Sequence, residues 1–220
     1  MAFDDPCPIP PDRSLAALRM EGDALAGVVA AMTTQDLDRP TRLGDWTVQQ
    51  LVAHLIRGVD RIPSYLAAGD PPDAGTDWLD YWSQAAETDP GGVAERARQF
   101  ARAINGRRVL DVWKETLEVA VGEGRAAPAD RLVRTPFGGI RLDHYLPTRV
   151  LEITVHGLDL RAALGLEEVA TPIALGITAE VLDRLIEGPR PDGLADDAVA
   201  WVLAATGRAP SDDPRLPVLT

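Results

Sequence analysis

His54, Glu152 and His156 are the residues of this chain whose types and spacing can do chemistry. A Glu and a His at i and i+4 of a helix stand over one another on one face, so a carboxylate oxygen and an imidazole nitrogen converge from a single rigid element. His54, far earlier in the chain, can bring a third ligand from a second helix. Two imidazoles and one carboxylate leave a coordination position open, which is the pattern of a catalytic metal rather than of a closed structural one. Zinc suits such a set, and so do iron, nickel and manganese.

The elements that must position these residues are helical. Apolar periodicity predicts a first helix over residues 14–32, with Asp12 or Ser14 as N-cap and Leu15, Leu18, Leu25, Val28 and Val29 facing inward. Thr47-Val48-Gln49-Gln50 fits a capping box and opens a second helix to about Ala67, with a kink or stop at Pro63. Residues 69–75 read as a loop, 78–87 as a short helix, and Asp89-Pro90-Gly91-Gly92 as a breaker before a long helix over 93–121 that bends at Asn105-Gly106. Residues 122–130 read as a loop and 131–142 as a short irregular or hairpin-like connection. A helix over 143–164 carries Glu152 and His156, with Pro147 near its first turn. Two further helical pieces, 173–187 and 196–205, precede a proline-rich tail. The fold class is therefore mainly all-α. The expected organisation is a flexible leader (1–13), a helical bundle (14–165) and a helical C-terminal extension packed on it (166–220).

On a helical wheel at about 100° per residue, Val48, Leu51, Val52, Leu55, Val59 and Ile62 form one stripe of the second helix, and His54 lies at its edge. In the later helix Arg149, Glu152, His156 and Asp159 share a face between two apolar flanks. Buried carboxylates and imidazoles must be paired or bound to a metal, because an unsatisfied one costs on the order of 1 to 3 kcal/mol. Two arrangements satisfy them. In one the stripe pairs within itself, Arg149 with Glu152 and Asp159 with His156. In the other the same contacts form the outer support of a metal site, Asp159 fixing the tautomer of His156 and Arg149 orienting Glu152. Arg57 and Arg61, at i+3 and i+7 from His54, can offer positive charge to an anionic substrate or be solvated. His144, at the start of the later helix, is a third candidate substrate contact, with a capping or surface role as the alternative.

A chain of 220 residues that is 45% hydrophobic can bury a real core. Its net charge of -12, with a pI near 4.6, argues against nucleic acid and anionic membrane surfaces as partners. No apolar run is long enough to span a bilayer, and Met1 to Pro11 has no basic and apolar targeting pattern, so a cytoplasmic location is expected. Cys7, the single cysteine, sits in a proline-rich leader and makes a poor nucleophile, so thiol chemistry must use a thiol brought from outside. No nucleophile elbow, phosphate loop, dinucleotide fingerprint or His-Glu-x-x-His motif is present.

Two stretches, residues 43–55 (LGDWTVQQLVAHL) and 145–160 (YLPTRVLEITVHGLDL), resemble the two signature regions of the mycothiol-dependent maleylpyruvate isomerase-like family. The resemblance runs from about Ser14 to Leu164, and Ala205-Thr206-Gly207-Arg208 is similar to a later stretch of single-domain members. It implies a DinB-like four-helix bundle in which His54, Glu152 and His156 bind a divalent metal, usually zinc. It also implies mycothiol as cosubstrate, a small electrophile as substrate, and isomerisation or S-transfer as the reaction; a homodimer is compatible with it. The segment after Leu164 looks shorter than the second domain of the isomerase. A non-catalytic metal- or ligand-binding bundle and a metal-dependent hydrolase are the alternatives, and a cavity of about a few hundred Å³ against the metal favours an enzyme.

Overall fold

The computed structural model describes residues 5, 7–86, 90–103 and 108–219, with the backbone alone at 86, 90, 91, 93, 94, 102 and 103. In chain order the elements are α1 (Pro11–Ala31), α2 (Val48–Ala67), α3 (Trp78–Ala86), α4 (Pro90–Ala103), α5 (Val109–Ala126), β1 (Leu132–Thr135), β2 (Gly138–Arg141), α6 (Leu142–Leu164), α7 (Pro172–Leu185) and α8 (Ala198–Ala205). Helices α1, α2, α5 and α6 form the bundle, α1 and α2 each packing on both α5 and α6. The all-α fold read from the sequence is the observed one. Helix α4 lies on α2, α3 on α6, and α7 on both α6 and α1, with α8 behind α7.

Helix α2 starts where its sequence says it should. Thr47 Oγ1 accepts from the Gln50 amide while Gln50 Oε1 accepts from the Thr47 amide, so two backbone donors are satisfied reciprocally. The apolar stripe from Val48 to Ile62 is buried, and the helix runs on through Pro63 to Ala67. Helix α6 is enclosed by α1, α2, α3, α7 and the hairpin, which is why its buried residues occupy nearly its whole circumference. It ends on Gly165, whose φ of 71° is the left-handed C-cap conformation.

Several boundaries differ from the sequence expectation. Helix α1 begins at Pro11, whose fixed φ suits the first helical position, and no side chain caps it; Ser14 is inside the helix, its amide bonded to Pro10 O. Pro90 likewise opens α4 instead of breaking the chain, while Asp89 and the expected bend at Asn105-Gly106 lie outside the described residues. Helix α5 continues past Gly122 to Ala126. A side chain at Gly124 would press on Leu15 at 2.9 Å, so this glycine serves close helix packing rather than helix termination. Described parts of the leader are packed: Ile9 is fully buried, and the Cys7 amide donates to Asp143.

The connection before α6 is a two-stranded antiparallel hairpin with Thr135 opposite Gly138 and Val133 opposite Ile140. It is tied to the 69–75 loop at Gly139, whose carbonyl accepts from the amides of Gly75 and Thr76. A Cβ on Gly139 would fall 2.0 Å from the Asp73 carbonyl oxygen. Gly139→Ala should therefore destabilise the protein by about 3 kcal/mol, the upper end of ordinary overpacking costs. At Gly58, by contrast, a Cβ meets nothing, and Gly58→Ala should be neutral or stabilising by up to about 1 kcal/mol. Urea denaturation of both variants checks the pair.

Candidate metal centre

Helix α2 brings His54 and helix α6 brings Glu152 and His156 to one point. His54 Nε2 lies 3.3 Å from Glu152 Oε2, and His156 Nε2 lies 3.5 Å from the same oxygen. One donor atom from each of the three residues falls within 4.8 Å of the others, and no other such group occurs among the described residues. Bonds of about 2.0–2.1 Å to a tetrahedral zinc place neighbouring donors about 3.4 Å apart. The two edges at Glu152 Oε2 match that separation and the imidazole–imidazole edge stays within 4.8 Å, so the donor set fits a divalent metal in chemistry, and in spacing once the two imidazoles close on the ion. The imidazole rings stand perpendicular, with centroids 4.8 Å apart.

The protonation states also suit a metal. His54 is held below its usual range, chiefly because burial disfavours its charged form, and it therefore keeps a lone pair. Burial alone would push Glu152 up. The hydrogen bond with His54 and the charge of Arg149 outweigh it and hold the carboxyl well below its ordinary value. A neutral imidazole beside an ionised carboxylate is what a metal ligand set requires.

Asp159 is fully buried one turn after His156, and its Oδ2 accepts from His156 Nδ1 at 2.9 Å. An ionised carboxylate only accepts, so Nδ1 carries a proton, which leaves Nε2, on the side of Glu152, as the ring nitrogen that would bind a metal. Two residues that the sequence reading missed complete this support. Arg42 Nε reaches Asp159 Oδ1 at 2.6 Å, and Arg208 binds both oxygens, Nε to Oδ1 at 3.2 Å and Nη2 to Oδ2 at 3.0 Å. Arg42 carried no sequence signal, whereas Arg208 lay in the Ala205–Arg208 stretch noted above without an assigned role. Trp46 stands edge-on to the His54 ring, centroids 5.2 Å apart, and packs beside that candidate ligand.

The remaining candidates are placed differently. Arg149 does not hydrogen-bond Glu152. It donates to the Tyr81 hydroxyl at 2.9 Å and to Thr148 Oγ1 at 3.1 Å, and its guanidinium lies over the Tyr145 and Tyr81 rings. Helix α3, which supplies Tyr81, was not foreseen as a neighbour, and the aromatic pair captures the side chain. Arg149 Nη1 is buried without a partner. Arg149 lines a cleft with His54, Leu55, Gly58, Glu152 and Ile153, holding about 190 Å³ of space counted to its open mouth. Arg57 and Arg61 lie outside that lining. Arg61 is close enough for its charge to act on His54, Tyr81 and Tyr145, and Arg57 is pressed by Arg61 and Arg96. His144 is not brought to the cleft: its Nε2 bonds the Asp5 carbonyl oxygen at 2.7 Å, two helical turns or about 12 Å before Glu152.

The family model described as the mycothiol maleylpyruvate isomerase N-terminal domain matches residues 18–161. The uncharacterized protein Rv0036c of Mycobacterium tuberculosis is 29% identical over 161 residues, a stretch covering 73% of this chain and 60% of that protein, so the match spans well under two thirds of the relative. A second uncharacterized protein of that organism, Rv0738, is 25% identical over 128 residues, or 53% of this chain and 70% of its own. Among solved structures, the crystal structure of the mycothiol-dependent maleylpyruvate isomerase superposes with a TM-score of 0.60 at 15% identity, over 91% of this chain and 90% of that one; a variant of that enzyme gives the same values. That likeness concerns the fold. No described helix is long and apolar enough to cross a membrane.

Removing a ligand should be visible directly. His54→Ala and His156→Ala should each lower the metal content of zinc-loaded, gel-filtered protein from about one ion per chain to near zero while circular dichroism still reports a helical fold. Metal contents equal to that of the unaltered chain would show that these imidazoles are not ligands. The matching residues and the family model together establish one identity: this chain belongs to the mycothiol maleylpyruvate isomerase N-terminal domain family.

Proposed function

We propose that this protein is a metal-dependent, thiol-using enzyme of the maleylpyruvate isomerase type, acting on a small electrophile by isomerisation or S-transfer with mycothiol as cosubstrate. The observation that carries the reading is the convergence of one donor atom each from His54, Glu152 and His156 within 4.8 Å of one another, with His54 and Glu152 on the wall of a cleft. His54 Nε2, the Glu152 carboxylate and His156 Nε2 would hold the metal, which we assign as zinc. Such an ion supplies Lewis acidity that lowers the pKa of a thiol at its open position.

The chain's own residues define the rest. Cys7 is buried in the leader with its thiol pushed up to about 12, mainly by burial, so the protein offers no competing thiolate and the nucleophile comes from solution. The enclosed part of the cleft is only about 10 Å³, far below the roughly 300–1,000 Å³ of pockets that surround a whole drug-sized ligand and short of the few hundred Å³ expected above, so a substrate would meet the centre at an open mouth. Trp46 covers His54 on one side and keeps the ring in place. The unpartnered Nη1 of Arg149 is a buried donor in the cleft, suited to an anionic group on the electrophile, with Arg61 and Arg57 adding positive potential. For isomerisation, the thiolate sulfur adds to one carbon of a cis double bond. Rotation about the resulting single bond and loss of the same thiolate then restore the double bond as trans, with no net change of atoms or electrons. For transfer, the carbon–sulfur bond persists, the electron pair left on the neighbouring carbon takes up a proton equivalent to the one the thiol lost, and the thioether leaves.

Cobalt substitution tests the reading. Mycothiol added to the Co²⁺-loaded protein should produce a thiolate-to-cobalt charge-transfer absorption, and turnover of an electrophile panel should require both metal and thiol. Metal-dependent turnover without any thiol would move the assignment to a hydrolase; metal binding with no thiol response and no turnover would leave a binding module. Gly58→Leu, which fills open space at the cleft, should retain the metal yet lose at least about tenfold in kcat/KM, equivalent to about 1.4 kcal/mol. Arg149→Met should raise KM for anionic electrophiles more than for neutral ones.

A further inference from the structure

We infer that Arg208, acting with Arg42, is a positioning residue of the metal centre, so that the segment following the bundle builds part of the site. The inference rests on the metal-binding reading above. Asp159 receives four donors on two oxygens: His156 Nδ1 and Arg208 Nη2 on Oδ2, Arg42 Nε and Arg208 Nε on Oδ1. The bidentate grip of a planar guanidinium fixes the plane of the carboxylate, and the carboxylate fixes the plane of the imidazole. His156 would be free to turn about its own side-chain torsions without it. Both oxygens of this fully buried carboxylate are thus held by guanidinium donors from two separate segments, so neither can swing away from the imidazole.

The backbone on both sides is shaped to deliver these two side chains. Arg42 lies in a loop closed by the bonds Thr41 N to Trp46 O and Val48 N to Arg39 O, reversed at Gly44 with a φ of 62°. The same loop carries Trp46 against His54. Arg208 follows α8 through Gly207, whose φ is 70°, and is pinned by its amide to Leu203 O at 2.7 Å and by Nη1 to Thr206 O at 2.6 Å. Helix α8 is anchored by the buried Trp201 and Val202, and α7 packs directly on α6. The residue gripping Asp159 therefore comes 49 positions later in the chain and from outside the 18–161 span that the family model covers.

A purely structural ion pair would tie the same segment down without affecting the metal, and Arg215 provides that comparison. It holds the C-terminal segment through Asp213 and the carbonyls of Glu187 and Pro189, with no contact to the centre. The experiment is titration of the apo forms of the full chain with Co²⁺ against a competing chelator, with the visible d–d spectrum and melting temperature recorded for the unaltered chain, Arg208→Ala, Arg208→Lys, Arg42→Ala and Arg215→Ala. Arg208→Ala should weaken binding about 10–100-fold and alter the d–d spectrum. Arg208→Lys should recover part of the loss, since it restores the charge but not the two-point grip. Arg42→Ala should fall between these two, and Arg215→Ala should lower the melting temperature with unchanged affinity and spectrum. Arg208→Ala protein that is folded and binds cobalt with the original affinity and spectrum would overturn the inference, as would an Arg215→Ala effect on affinity equal to that of Arg208→Ala. Failure of the unaltered chain to bind cobalt is a different outcome, because it removes the metal reading itself.

Discussion

One constraint governs this structure: a helix enclosed on nearly every side carries a carboxylate, an imidazole, a second carboxylate and a guanidinium along a single face. Charged and polar groups taken out of water must be matched inside the protein, at a cost of several kcal/mol for each ion left alone. Around α6, His156 is matched by Asp159 of the same helix, and the other three groups take partners from other elements. His54 arrives from α2, Tyr81 from α3, Arg42 from the loop before α2, and Arg208 from beyond α8. The bundle, the C-terminal helices and the loop after α1 are thus held in register by the polar stripe they enclose.

The matching is uneven in a way that bears on function. Asp159 is over-supplied with donors, as suits a group whose task is to hold another in place. Glu152 Oε2 and the Nε2 atoms of the two imidazoles, by contrast, meet one another at long separations of 3.3 and 3.5 Å, with a cleft beside His54 and Glu152. Arg149 retains an unused donor facing the same region. Saturation behind the site and spare valence in front of it describe a centre built to receive something. The neighbouring glycine at position 58 leaves the space in which to receive it.

Much of this was legible in the sequence because it is local. The i, i+4 pair Glu152 and His156, the i, i+3 relation of His156 to Asp159, and the capping box that sets the phase of His54 are all properties of single helices. What stayed hidden was long-range. Nothing near Arg149 in sequence announces that Tyr81 and Tyr145 will take its guanidinium in place of Glu152. Nothing near Asp159 announces Arg42. His144 looked like a chemical group because histidine is rare here, yet the leader's Asp5 carbonyl claims it. Helix limits failed where proline and glycine serve packing or initiation, as at Pro11, Pro90 and Gly124, rather than interruption.

X-ray absorption at the zinc edge, on protein loaded with one equivalent of zinc and measured with and without mycothiol, addresses the central claim most directly. The account predicts a four-coordinate ion with two imidazole nitrogens and light-atom oxygen donors, and the appearance of one sulfur neighbour at about 2.3 Å when the thiol is added. A first shell without imidazole scattering, or one that mycothiol leaves unchanged, would contradict it.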